Sequence, residues 1–223
     1  MTTVQRWPGR YTDRHGGEDV VFESDGRQLI RTTIRGVRFE SNSMNDLRAL
    51  GGEPPEASFA FFDGGLCSCL LEWEVPLSVA VEGQGVRTAV LACALRLGDP
   101  AGHRLGLDAE TLTTTLRLDG REYPSSDGGD NFEDALYEIQ RQLPDGARLW
   151  ACVMCARSDY QLVGHGLMGG LACFRDARPD PDNVVDAWNE HTDFVQETWL
   201  CEQFAHRSTT PHTGYRGPFP SSL

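Results

Sequence analysis

Residues 66–97 read LCSCLLEWEVPLSVAVEGQGVRTAVLACALRL. Two runs rich in Val, Leu and Cys, residues 66–81 and 86–97, flank Gly83-Gln84-Gly85, and the pattern predicts one long β-hairpin. In its first arm Cys67, Cys69, Leu71, Trp73 and Val75 share a face by two-residue alternation. Glu72, Glu74 and Pro76 interrupt that arm, so it cannot serve as a membrane span, which needs about 20 apolar residues.

Working outward, short strands are expected at residues 11–14, 19–24, 28–34 and 37–40, with Ser24-Asp25-Gly26 as a turn between two of them. Residues 49–57, with two Gly and two Pro, form a loop. Beyond the hairpin, residues 111–118 alternate and are β-branched, and Asp119-Gly120 turns them into a strand at 121–123. Residues 124–129 are a polar break. One helix follows, capped by Asp130 with Glu133 completing a capping box, and with Phe132, Ala135, Leu136, Ile139 and Leu143 on one face. Residues 148–154 are expected to form a strand paired with 170–175, a weaker helix is expected at 184–190 or 194–204, and the tail 208–223 is expected to be extended. The expected class is α+β: a mostly antiparallel β region over 1–123, then a helix and a cysteine-organised mixed region over 130–223, as two domains or one continuous one.

Composition narrows the function. The chain has 223 residues, 33 acidic against 20 basic, and a net charge of −13. An acidic excess repels phosphates, which argues against nucleic-acid binding, and it favours encounter with a basic protein partner. All 20 basic residues are Arg. Without lysine there is no Schiff-base amine and no Walker-type phosphate loop. Lysine codons are AT-rich, so their absence points to a GC-rich, actinobacterial genome. Residues 1–10 carry two Arg and no apolar run, unlike a signal peptide, so a cytoplasmic, reducing location without membrane attachment is expected. Seven cysteines in such a compartment are core thiols, metal ligands or catalytic groups rather than disulfides.

Four of them are confined to one stretch. Cys152 and Cys155 form C-x-x-C; Cys173 follows 18 residues later and Cys201 28 residues after that. Four thiolates suit a tetrahedral zinc ion, and a complete thiolate shell leaves no position for a reacting water, so a structural zinc is expected. Buried core thiols are the alternative. A redox C-x-x-C is disfavoured because such a pair opens a helix, whereas residues 148–154 have the pattern of a strand. A catalytic zinc would leave one cysteine out and take His165, His206 or His212 instead. Cys67, Cys69 and Cys93 are expected to be core thiols, since the hairpin register separates Cys93 from Cys69.

The stretch 152–175, with Ser158-Asp159-Tyr160, a Gly-rich turn and Cys173-Phe174-Arg175, resembles a family of uncharacterised bacterial proteins common in actinobacteria. Glu197-Thr198-Trp199-Leu200-Cys201 and Thr213-Gly214-Tyr215-Arg216-Gly217 extend the likeness over the last third. Leu162 stands where that pattern has a Pro, and His212 where it has a Gly. The resemblance implies the same four cysteines and no activity.

Residues 164–169 match G-x-G-x-x-G literally, but a dinucleotide fingerprint joins a strand to a helix, and here the glycines shape a hairpin. Asp159, Tyr160, His165 and Arg175, beside the cysteines, are candidate recognition groups, as is Arg216 in the tail; a turn role is the alternative for Asp159. The expected function is an acidic, zinc-stabilised binding protein of immunity or regulatory type. The other expectation is a zinc-supported enzyme.

Overall fold

A computed structural model describes residues 4–52, 54, 58–102, 106–125, 131–160, 167–176 and 191–207. In chain order, β1 (Gln5–Asp13), β2 (Gly16–Ser24), β3 (Ile30–Ile34) and β4 (Val37–Ser41) are followed by short β5 (Arg48–Ala49), β6 (Ala60–Phe62) and β7 (Gly65–Cys67). Next come β8 (Cys69–Val81), β9 (Gly85–Leu97), β10 (Glu110–Leu118), β11 (Arg121–Pro124), the helix α1 (Phe132–Gln142) and β12 (Ala147–Leu149). The twelve strands form one antiparallel sheet ordered β11-β10-β9-β8-β1-β2-β3-β4-β5-β7-β6, with β12 added to β8. The β8–β9 hairpin has the expected turn, and Trp73 lies opposite Cys93.

The sheet is rolled. β8 pairs with β1 and β7 pairs with β5, yet β7 and β8 are separated only by Ser68, whose φ of 50° kinks the strand. The path β8-β1-β2-β3-β4-β5-β7 therefore returns to its own starting point in the chain. Its inner face holds Trp7, Tyr11, Phe22, Phe39, Leu71 and Trp73, all essentially inaccessible, with Phe22 edge-on to Trp73 at 6.3 Å. Burial of side chains this large is worth about 1.5–3 kcal/mol each, enough to make this sheet the dominant folding unit.

β1 begins at Gln5, earlier than the pattern of residues 11–14 indicates, because Pro8 and Gly9 weaken the strand signal. Tertiary packing explains Gly9: a Cβ there would stand 2.4 Å from the Glu72 carbonyl and 2.6 Å from the Phe22 ring. The helix N-cap is Asn131, whose side chain accepts from the Glu133 amide at 3.0 Å; Asp130 lies outside the described residues. Phe132, Leu136 and Ile139 of α1 join the sheet's core as expected.

One end of the roll is closed by charge. Arg35, in the β3–β4 turn, grips the Asp13 carboxylate through both terminal nitrogens at 2.8 and 2.6 Å, and its guanidinium lies 5.2 Å from the centre of the Tyr11 ring. Burial alone would raise the Asp13 carboxyl, but hydrogen bonds from Arg35, the His15 amide and the Tyr11 hydroxyl outweigh it and hold the group at about 2.

The C-terminal part departs from expectation. Residues 148–154 are not one strand: β12 ends at Leu149, and Cys152–Met154 form a single 3-10 turn. A second sheet contains β13 (Ser158–Tyr160), β14 (Leu171–Cys173) and β15 (Asp193–Val195), ordered β13-β14-β15. Residues 170–175 thus pair with β13 and β15, not with 148–154. The Trp150 amide is held by the Ser78 carbonyl, so the chain leaves the large sheet there and turns before Cys152. Residues 194–204 are not helical either, because Phe194 pairs with Ala172 and the Gln196 amide bonds the Gly26 carbonyl, leaving no i→i−4 ladder to form. The expected helix at 184–190 and the tail 208–223 lie outside the described residues.

This small sheet docks on the β2–β3 turn. Ser24 donates its hydroxyl to the Gln196 side chain at 2.7 Å, Arg27 pairs with Asp193 at 2.8 Å, and the Met44 amide bonds the Leu167 carbonyl at 2.9 Å. Gly26, at φ 76°, lies flat under Trp199; a Cβ there would stand 2.0 Å from the indole.

Candidate metal centre

The C-x-x-C turn is wrapped on both sides by residues 197–207. The Cys152 amide bonds the Trp199 carbonyl at 2.7 Å and the Val153 amide the Glu197 carbonyl at 2.9 Å. On the other side, the Ala156 amide bonds Ala205 at 2.7 Å and the Arg207 amide bonds Met154 at 2.9 Å. Cys201 sits in the middle of this strap, which brings it back to the turn. Cys173 arrives separately, because β14 pairs it with Ser158, and the Ser158 hydroxyl lies 2.6 Å from the Cys152 carbonyl. Arg207, nearly fully buried, donates to the Cys155 and Ser158 carbonyls and locks the turn from behind.

All seven cysteines are free thiols. The four C-terminal ones feel one another: Cys155, Cys173 and Cys201 all act on the Cys152 thiol. Two of the sulfurs also accept an N–H from two residues further on. The Arg157 amide donates to the Cys155 sulfur at 3.4 Å. The Arg175 guanidinium donates to the Cys173 sulfur at 3.7 Å. These donors stabilise sulfur in its anionic form, the form that binds metal.

The thiols are not equivalent. Cys152, Cys155 and Cys173 are buried and Cys201 is half-exposed. Hydrogen bonding from Cys152 pulls Cys201 down to about 6 against a modest opposing effect of burial. The same hydrogen bond, then burial and the neighbouring cysteines, push Cys152 far up. Burial raises Cys173 in spite of Arg175. A cavity of about 480 Å³ opens onto Cys152, Cys173 and Cys201 and is bordered by Arg27, Arg175 and Trp199. Both arginines reach the Asp193 carboxylate, at 2.8 and 3.5 Å.

The donor chemistry and the N–H donors on the Cys155 and Cys173 sulfurs fit a thiolate-bound ion. The sulfurs do not stand as a finished tetrahedron: among the described residues, no group of three or more His, Cys, Asp or Glu side chains is arranged to hold a metal.

Of the candidate recognition groups, Arg175 borders the cavity. Asp159 and Tyr160 are buried instead: Asp159 accepts the Tyr160 amide at 2.9 Å, and the Tyr160 hydroxyl donates to Glu197 at 2.9 Å. His206 stacks on Trp150, with ring centres 5.6 Å apart. His165, His212 and Arg216 lie outside the described residues. Sequence reasoning missed Arg27, which reaches the site from the β2–β3 turn with no signal in its own neighbourhood. It also missed Arg207 as the residue that locks the turn. Cys67 and Cys69 flank the Ser68 kink and Cys93 lies across from Trp73, all within the large sheet. Burial pushes Cys69 up to about 12.

No helix among the described residues is long and apolar enough to cross a membrane. No curated protein and no solved structure matches the chain. A family model described as a family of unknown function does match, over residues 5–158. That stretch covers the rolled sheet, α1 and the C-x-x-C turn, and stops short of Cys173, Cys201 and most of the C-terminal signature in the last third. On the strength of that match, over more than half of its length, the chain belongs to the family of unknown function DUF6304.

Proposed function

We propose that the chain is a cytoplasmic binding protein of bacterial immunity or regulatory type, in which Cys152, Cys155, Cys173 and Cys201 hold one structural zinc ion. The observation that carries the zinc is the arrival of four thiols from three separate segments, with the Arg157 amide on the Cys155 sulfur and the Arg175 guanidinium on the Cys173 sulfur. The four would supply a closed thiolate shell once drawn in by the ion, with Arg175 offsetting its negative charge. The binding role is supported by the net charge of −13, which favours a basic protein partner. An enzyme built on zinc is the weaker alternative, favoured only by the half-exposed Cys201 at the cavity mouth.

Metal analysis of the purified protein tests the site. One zinc per chain is expected in the wild type and well below one in Cys173→Ser; a variant with full zinc content overturns the assignment. A basic protein encoded beside this chain should bind it with an affinity that falls as salt rises. Binding indifferent to salt overturns the electrostatic role.

A further inference from the structure

We propose that Cys201 and Cys152 are a hydroperoxide-oxidised pair, Cys201 being the sulfur that reacts and Cys152 the one that resolves it to a disulfide. Three features of the site point to this division of labour. Cys201 is the one half-exposed cysteine of the seven and lies on a cavity of about 480 Å³, ample for a small peroxide. Cys152 also borders that cavity but is buried, and its amide bonds the Trp199 carbonyl at 2.7 Å, which holds the strap carrying Cys201 beside it. Cys155 is just as buried as Cys152 and is not among the residues bordering the cavity. Arg175, held by Asp193, places a cation beside the same space and can stabilise a departing hydroxide.

The chemistry balances with hydrogen peroxide as the oxidant. The Cys201 sulfur attacks one peroxide oxygen, the O–O bond breaks, and hydroxide leaves and takes a proton to become water. The sulfenic acid so formed is attacked by the Cys152 sulfur; the S–O bond breaks, the S–S bond forms, and a second water departs. Two thiols lose two electrons in total and one peroxide gains them. The disulfide would take away two of the four thiolates, and Cys155 and Cys173 alone are too few donors for a structural zinc. This last consequence, metal release, rests on the zinc proposal; the oxidation itself does not.

The test is disulfide mapping of the wild-type protein treated with hydrogen peroxide, alkylated, and digested after arginine. The expected product joins peptide 149–157, through Cys152, to the peptide carrying Cys201, while Cys67, Cys69 and Cys93 are recovered alkylated after unfolding. In Cys152→Ser, Cys201 should accumulate as a sulfenic acid trapped by dimedone. Full alkylation of Cys201 after peroxide, or a bond between Cys155 and Cys173, overturns the proposal. Zinc released to a chromogenic chelator is followed in parallel. A disulfide formed in protein that never contained zinc leaves this proposal standing and removes the zinc site; zinc present with Cys201 inert to peroxide does the reverse.

Discussion

The rolled sheet and the small C-terminal sheet are stabilised in different ways. The first has a continuous apolar interior running from Trp7 to Met168. The second has a core of Cys152, Tyr160, Leu171, Cys173 and Val195 with Trp199 against it, and it buries Asp159, Gln196, Glu197 and Arg207 alongside. Burial at about 25 cal/mol per Å² of apolar surface can sustain the large sheet. A core of a few side chains cannot offset the entropy of ordering its own loops, and small units of that kind rely on a staple. The difference teaches where a metal would matter: not to the fold as a whole, but to the region where apolar area runs out.

Metal removal is the sharpest way to break this contrast. Hydrogen exchange measured with and without a strong chelator should show loss of protection in residues 151–160 and 191–207, with β8 and β9 unchanged. Equal loss in both regions would mean that the large sheet also depends on the ion. Truncating Trp73 to Ala attacks the other side. It should cost about 3–5 kcal/mol in denaturant unfolding, because it opens a cavity at the centre of the roll. A cost under 1 kcal/mol would place the stabilising core elsewhere.

The Asp13–Arg35 clamp provides a pH-dependent comparison. Asp13 titrates at about 2 in the folded chain, below its ordinary value of 3.8. A depressed carboxylate stabilises above its unfolded value, and that contribution disappears as pH falls through the folded one. The difference in unfolding free energy between wild type and Asp13→Asn should therefore be on the order of 2 kcal/mol at pH 6 and shrink between pH 4 and pH 2. A difference that stays constant across that window would remove the ionic contribution. Gly26→Ala should loosen the join between the two sheets by about 1–3 kcal/mol, since the turn needs its positive φ and Trp199 occupies the Cβ position. Increased exchange at Gln196, with β8 unaffected, would locate the effect at the join; no change in exchange at either would argue against it. Last, Arg117→Ala removes an exposed cross-strand pair with Glu74 and should cost about 0.2–1 kcal/mol in thermal unfolding, less at high salt.

Legibility followed the same divide. The long hairpin, the strands up to residue 123 and the helix face were readable because alternation and the 3.6-residue period are written locally, and Gly83-Gln84-Gly85 and Asp119-Gly120 mark their turns. The start of β1 was obscured by Pro8 and Gly9, whose reason is the neighbouring Phe22 and Glu72. Residues 148–154 misled because the apolar run of six at 149–154 suits a strand or a buried turn equally well. Residues 194–204 misled because backbone groups spent on β14 and on Gly26 leave no trace in side-chain pattern.

From the sequence alone came the antiparallel architecture and the acidic balance, since composition and short-range periodicity are properties of the chain itself. Only the tertiary structure decided that the sheet rolls on the Ser68 kink, that the strap 197–207 carries Cys201 back to Cys152, and that Arg27 joins them from the β2–β3 turn. Those are meetings of residues up to 174 positions apart, from Arg27 to Cys201, and no local preference encodes them. They exist because each segment's backbone hydrogen bonds and buried surface are satisfied by a distant partner.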